Sequence, residues 1–128
     1  MRCATIVFTG AGLWGVLVLT PLYFAFDLVG RLYPPPMTHP DVYYGFIGLG
    51  IAWQVGFLAI GRDPARFRPM MIPAVLEKCL FVVSLGALYA QGRVRGGQLA
   101  AAGPDLLLGV LFIISFLKVG ADRRSDRP

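Results

Sequence analysis

Apolar residues run through this chain in four blocks, and polar residues collect at the joints between them. The blocks cover residues 4–26, 42–60, about 70–91 and about 104–119. A helix rising about 1.5 Å per residue needs roughly 20 apolar residues to cross about 30 Å of hydrocarbon. The first block meets that length, and the fourth, the shortest, has the least certain ends. A signal peptide is the rival reading of the first block, because Arg2 precedes it. The block is too long for an h-region of about 7–15 residues, and no small-residue cleavage site follows it. The pattern predicts an all-α integral membrane bundle of four transmembrane helices in up-down order, forming one domain over residues 1–128.

The joints carry helix-start chemistry. Proline is tolerated at a first helical position, and an acid there complements the helix dipole. "HPD" at 39–41 opens the second span, "RDP" at 62–64 opens a short turn after it, and "GPD" at 103–105 opens the fourth span. "YPPP" at 33–36 cannot be helical and reads as a stiff, extended crossing.

Composition agrees with a membrane protein. The chain is 56% hydrophobic and 15% charged, with a mean hydropathy of +0.66; soluble domains carry about 25% charged residues. An isoelectric point near 9.7 suits nucleic acid binding, but the basic residues sit between and after apolar blocks. No nucleic acid partner is therefore expected, and membrane lipids are. Arg2, Arg62, Arg66, Arg68, Lys118, Arg123, Arg124 and Arg127 fall on one side of the predicted bundle, eight in all; Arg31, Arg93 and Arg95 fall on the other. By the positive-inside rule both termini and the 61–69 loop are cytoplasmic, in the inner membrane of a bacterial cell. Arg62, Arg66 and Arg68 then form a headgroup anchor, with DPARFR as one helical turn and Phe67 dipping toward the acyl chains.

Charge inside the third span changes the picture more. Glu77 and Lys78 interrupt an apolar run, and a charge deep in a bilayer costs at least about 2.5–3.5 kcal/mol. Counted from Pro73, Glu77 is roughly 6 Å into the helix, and Lys78 can snorkel back to the cytoplasmic headgroups. Glu77, Ser84 and Gln91 fall seven residues apart, nearly on one face. Thr9, Gln54 and Ser115 lie at similar depth in the other spans, so a polar layer of Thr9, Gln54, Glu77 and Ser115 is expected, with Arg62 as counter-ion. Glu77 is then either a structural group bonded to a neighbouring helix or a functional carboxylate that carries a proton or binds a cation. Helix contacts are expected where small residues recur, foremost Gly48, Ala52 and Gly56. That face packs within the chain, or it serves self-association.

Other chemistry is thin. Cys3 and Cys79 belong to no CxxC pair, and His39 is the single histidine, which excludes a bis-histidine haem within one chain. No nucleophile motif or phosphate-binding glycine loop is present; "GAGLWG" at 10–15 lies inside a span. Neither an enzyme nor a cofactor is expected. At an offset of 64 residues Arg31, Pro40 and Asp41 match Arg95, Pro104 and Asp105, which fits either a duplicated hairpin or coincidence in a Gly- and Pro-rich chain.

The string "YYGFIGLGIAWQVGFLAIGRDPARFRPMMIPAVLEK", residues 43–78, with its flanking spans, resembles small four-helix bacterial inner-membrane proteins of uncharacterised families, similar in layout to DoxX-like proteins. The resemblance covers the whole chain as a layout and implies no catalytic residues. The leading expectation is a small structural or accessory membrane protein, working as a homo-oligomer or in a larger membrane complex. The alternative is a small transporter or lipophilic-ligand carrier that uses a membrane-embedded carboxylate. A cavity beside Glu77 would favour the second; a tightly packed bundle would favour the first.

Overall fold

The computed structural model describes residues 1–126; Arg127, counted among the basic residues above, lies outside them. Helix α1 covers Arg2–Leu19, a 3-10 turn over Thr20–Phe24 extends it, and the short helix α2 follows over Phe26–Leu32. Helix α3 covers Pro40–Arg62. A second 3-10 turn, Arg68–Met70, leads into α4, Met71–Ala90, and the short α5, Gly96–Ala100, runs into α6, Ala102–Ser125. Four helical stretches are long and apolar enough to cross a membrane: Arg2–Phe24, Pro40–Arg62, Arg68–Ala90 and Gly96–Ser125. Their surface agrees, since Phe24 is 91%, Ile6 72% and Leu17 70% exposed. Water does not tolerate so continuous an apolar surface, whereas lipid tails are as apolar as the side chains they meet.

Local chemistry sets the helix ends. Pro40 opens α3 with Asp41 in its first turn, where the missing N–H is no loss and the acid meets the positive end of the dipole. Gly92, at φ 70°, closes α4. Its N–H donates to the Tyr89 carbonyl and that of Arg93 to Leu88, both at 2.9 Å, which satisfies carbonyls that the last turn would otherwise orphan.

The last span is longer than the sequence pattern suggests. Helix resumes at Gly96, because the Gln98 side chain accepts the Arg95 N–H at 2.9 Å and caps the new turn. Pro104 does not start the span but sits within the first turn of α6, where a proline costs no hydrogen bond. Residues 104 and 105 therefore lie well inside the span, about 12–14 Å from Gly96 at the helical rise.

Helix α1 packs along α3, α4 packs along α6, and α1 also meets α6, while α3 and α4 scarcely touch. The Met1 nitrogen lies 2.6 Å from Asp122 Oδ2, and the Phe8 ring stacks on Phe112 with centroids 4.2 Å apart, so α1 and α6 run antiparallel. The core sits toward the end that carries Met1 and Asp122, here the near end. Phe57 meets Phe112 edge to face at 5.0 Å, and Ile60, Met71, Ala74 and Val119 close around the three rings. Toward the far end the helices part: along α4 no residue beyond Lys78 is buried. Aromatic contacts join α1 and α3 there, with the Tyr43 hydroxyl donating to the Leu22 carbonyl at 2.6 Å and the Tyr23 ring stacked on that of Tyr44.

The small residues that bring α1 and α3 together are Gly12, Gly15, Gly50 and Gly61. A Cβ at Gly12 would lie 2.7 Å from the Leu58 side chain, and one at Gly50 would lie 2.9 Å from that of Leu19. The Gly48–Ala52–Gly56 face does not make this contact. Gly48 faces only the Tyr23 hydroxyl, Ala52 is exposed, and Gly56 has nothing nearer than Trp53 of its own helix. Small residues occur on two faces of α3, Gly48–Ala52–Gly56 on one and Gly50 and Gly61 on the other, and the residues of α1 opposite each face decide which is used.

Candidate functional site

A lysine held within a membrane span needs an acid, and Lys78 has two. Its Nζ lies 2.7 Å from Asp105 Oδ1 on α6 and 3.2 Å from Glu77 Oε2 on α4. The side chain is buried, and its ammonium also stands 5.4 Å from the centre of the Phe57 ring. Gly109 faces the Lys78 stem, with room for a Cβ only at 3.4 Å, so α4 and α6 lie close enough for the ammonium to reach Asp105 one turn further along α6. Lys78 stands about 10 Å from Met71 and about 18 Å from Ala90 at the helical rise. The ion cluster therefore lies near the middle of this helical stretch, and Lys78 is held by Asp105 of α6 instead of turning back to the near end.

Glu77 is the less satisfied acid. Its Oε1 accepts a long hydrogen bond from Lys78 at 3.5 Å. Its Oε2 is within ion-pair distance but off the bonding direction, and among the described residues no group donates to it. Oε2 is itself closed off, while the side chain, 32% exposed, borders a cleft of about 490 Å³ whose walls come from all four spans. Trp14 from α1, Trp53 and Gln54 from α3, Glu77 and Lys78 from α4, and Asp105 from α6 line it. Its volume falls in the range of about 300–1,000 Å³ typical of small-molecule pockets. The three-phenylalanine cluster lies on its near side. On one side α3 and α4 are apart; of the lining residues Leu49 of α3 and Trp14 of α1 are exposed, and Trp14 also borders a second groove toward α6.

The predicted polar layer forms only in part. Gln54 and Glu77 share the cleft, although Gln54 donates its side-chain N–H to the Gly50 carbonyl of its own helix at 3.0 Å. Its side chain lies directly over Gly15, the one residue small enough to admit it. Thr9 lies against Gly61 on the α1–α3 seam, and Ser115 is buried with its hydroxyl donating to Leu111 of its own turn at 2.8 Å. Both belong to the near-end core, not to the cleft.

Arg62 is not the counter-ion. It ends α3 as an exposed residue, while Lys78 holds both acids. Lys78 takes that place because it is adjacent to Glu77 in sequence and opposite Gly109. The expected anchor of Arg62, Arg66 and Arg68 also divides. Arg66 is exposed; its backbone N–H donates to Asp63 Oδ1 at 3.0 Å and fixes the turn. Arg68 reaches across to α6, where Nε donates to the Phe116 carbonyl at 3.2 Å and the guanidinium lies 3.9 Å from that ring's centre. Phe67 packs against the core and not toward lipid.

Asp105 is the site residue that sequence reasoning missed. It read as a helix-start acid at the far surface, by analogy with Asp41, which is indeed exposed in the first turn of α3. The signal available was length: a fourth block of only 16 residues is too short unless the helix extends upstream. Extending it carries Asp105 to the depth of Lys78.

No protein-family model, no curated protein and no solved structure matches the chain, so its function is read from this geometry.

Proposed function

We propose that the protein is a multi-pass protein of a bacterial inner membrane that binds or carries a small amphipathic molecule in the cleft between α3 and α4. The observation that carries this reading is the cleft itself, which sets an under-bonded carboxylate beside two tryptophans and opens where two spans fail to meet. A purely structural ion cluster would be expected to close over its charges, since buried charges need every lone pair satisfied. Native mass spectrometry of gently extracted protein tests the reading. The expected result is a retained small molecule, lost in Ala101→Phe, which places a ring at the exposed rim of the cleft. Recovery of the chain with an empty cleft would overturn it.

A second reading, an accessory subunit or a self-associating protein, has one observation in its favour. Ala52 and Gly56 leave a shallow strip on α3 that none of the described residues of other helices covers, and small residues allow close helix approach. In the same experiment a second polypeptide or a second copy at fixed stoichiometry would favour it. No catalytic role and no cofactor are proposed.

The orientation proposed is up-down with both termini cytoplasmic, on the strength of the basic asymmetry. Single cysteines at Pro36, Arg66, Gly97 and Arg124, in a chain with Cys3 and Cys79 replaced by serine, test it. Impermeant reagent outside the membrane is expected to label positions 36 and 97 only. External labelling at 66 or 124 would reverse the proposed orientation.

A further inference from the structure

We infer that the cleft takes a lipophilic monovalent cation; the inference rests on the ligand-binding reading above and adds the charge of the ligand. Two carboxylates, Glu77 and Asp105, share one ammonium, so the formal charge of the cluster is −1. Lys78 is committed to Asp105 at 2.7 Å, which leaves Glu77 as the acid with capacity to spare. Nothing else in the walls balances it. The α1 wall contributes no titratable group, the α3 wall contributes Gln54 alone among polar side chains, and that amide is already bonded within its helix.

The remaining walls suit a soft cation. Trp14 and Trp53 line the same cleft as Glu77, and an indole face attracts a cation most strongly when water is excluded. A hydrophobic anion would add a second negative charge in a medium that screens poorly. A neutral amphiphile would gain the apolar walls but leave Glu77 without a partner. A monovalent cation with an apolar body satisfies both.

Both tryptophans of the chain line the cleft, so intrinsic fluorescence of the intact protein in lipid nanodiscs reports on it. Three probes of similar bulk separate the cases: tetraphenylphosphonium, the neutral triphenylphosphine oxide and tetraphenylborate. Partition into lipid differs among them but not among protein variants, so the readout is the ratio of wild-type to variant affinity for each probe. Glu77→Gln is expected to weaken tetraphenylphosphonium by on the order of tenfold or more, the scale of one lost charge interaction at intermediate dielectric, and to leave triphenylphosphine oxide nearly unchanged. Asp105→Asn frees Lys78 to neutralise Glu77 and is expected to weaken the cation similarly. Glu77→Asp, which keeps the charge, is expected to retain most of the affinity. A cation affinity indifferent to both neutralising variants, or a neutral probe that loses as much, would overturn the cation assignment and leave the cleft as a binding site. Absence of any saturable response that Ala101→Phe removes would overturn the binding reading as well.

Discussion

Lys78→Met is expected to destabilise the protein by about 3–5 kcal/mol, the cost of leaving buried charge without its partner. Methionine keeps most of the stem that packs against Gly109 and Phe57, so the loss is electrostatic and not a packing defect. It strands two carboxylates, Glu77 and Asp105, near the middle of two apolar helical stretches. Adding Asp105→Asn to Lys78→Met is expected to recover part of the loss, because an amide is far less costly to bury than a carboxylate. The two substitutions should therefore be non-additive by more than about 0.5 kcal/mol, as contacting residues are. Reversible unfolding in mixed micelles measures all three variants. If the single and double variants unfold like the parent, the cluster contributes nothing to the fold and α4 and α6 are held by packing alone.

Gly61→Leu is expected to have the next largest effect, about 1–3 kcal/mol and toward the upper end of what overpacking costs. A Cβ at position 61 would sit 2.9 Å from the backbone nitrogen of Thr9 and 3.3 Å from the carbonyl oxygen of Thr5, besides the Thr9 hydroxyl. A side chain can swing away from such a clash, but backbone cannot, so α1 and α3 must separate along their shared seam. Gly56→Leu is the control: the nearest atom is 3.9 Å away on Trp53 of the same helix, and its expected effect is close to zero. Equal melting of the two variants in detergent would show that the seam is not where the glycines place it.

These two glycines also show what the sequence could and could not reveal. The all-helical character and the four spans follow from the apolar blocks, because a bilayer imposes length and apolarity on each span separately. Glu77 and Gln54 stood out for the same one-dimensional reason, as polar residues in apolar blocks. Pairing is different in kind. Whether Gly56 or Gly61 meets α1 depends on the rotation of α3 about its axis, and both rotations bury a row of small residues. Whether Glu77 meets Arg62 or Lys78 depends on how α4 faces α6, which Gly109 decides from another span. Asp105 was hidden by a boundary: "GPD" at 103–105 read as the start of the span, and only the Gln98 side chain, turned back to the Arg95 N–H, shows that helix resumes earlier.

The gap between α3 and α4 has a consequence for how affinity at this protein is to be expressed. One wall of the cleft is missing from the polypeptide, and in a bilayer acyl chains complete it. On the ligand-binding reading proposed above, a guest would arrive sideways, already dissolved in lipid, and displace a hydrocarbon tail instead of water. Its relevant abundance is molecules per lipid, not moles per litre of buffer. A compound that concentrates strongly in the membrane can fill such a site even when the site itself discriminates weakly, and the selectivity left to the protein is the part that lipid cannot supply: the sign of the charge opposite Glu77.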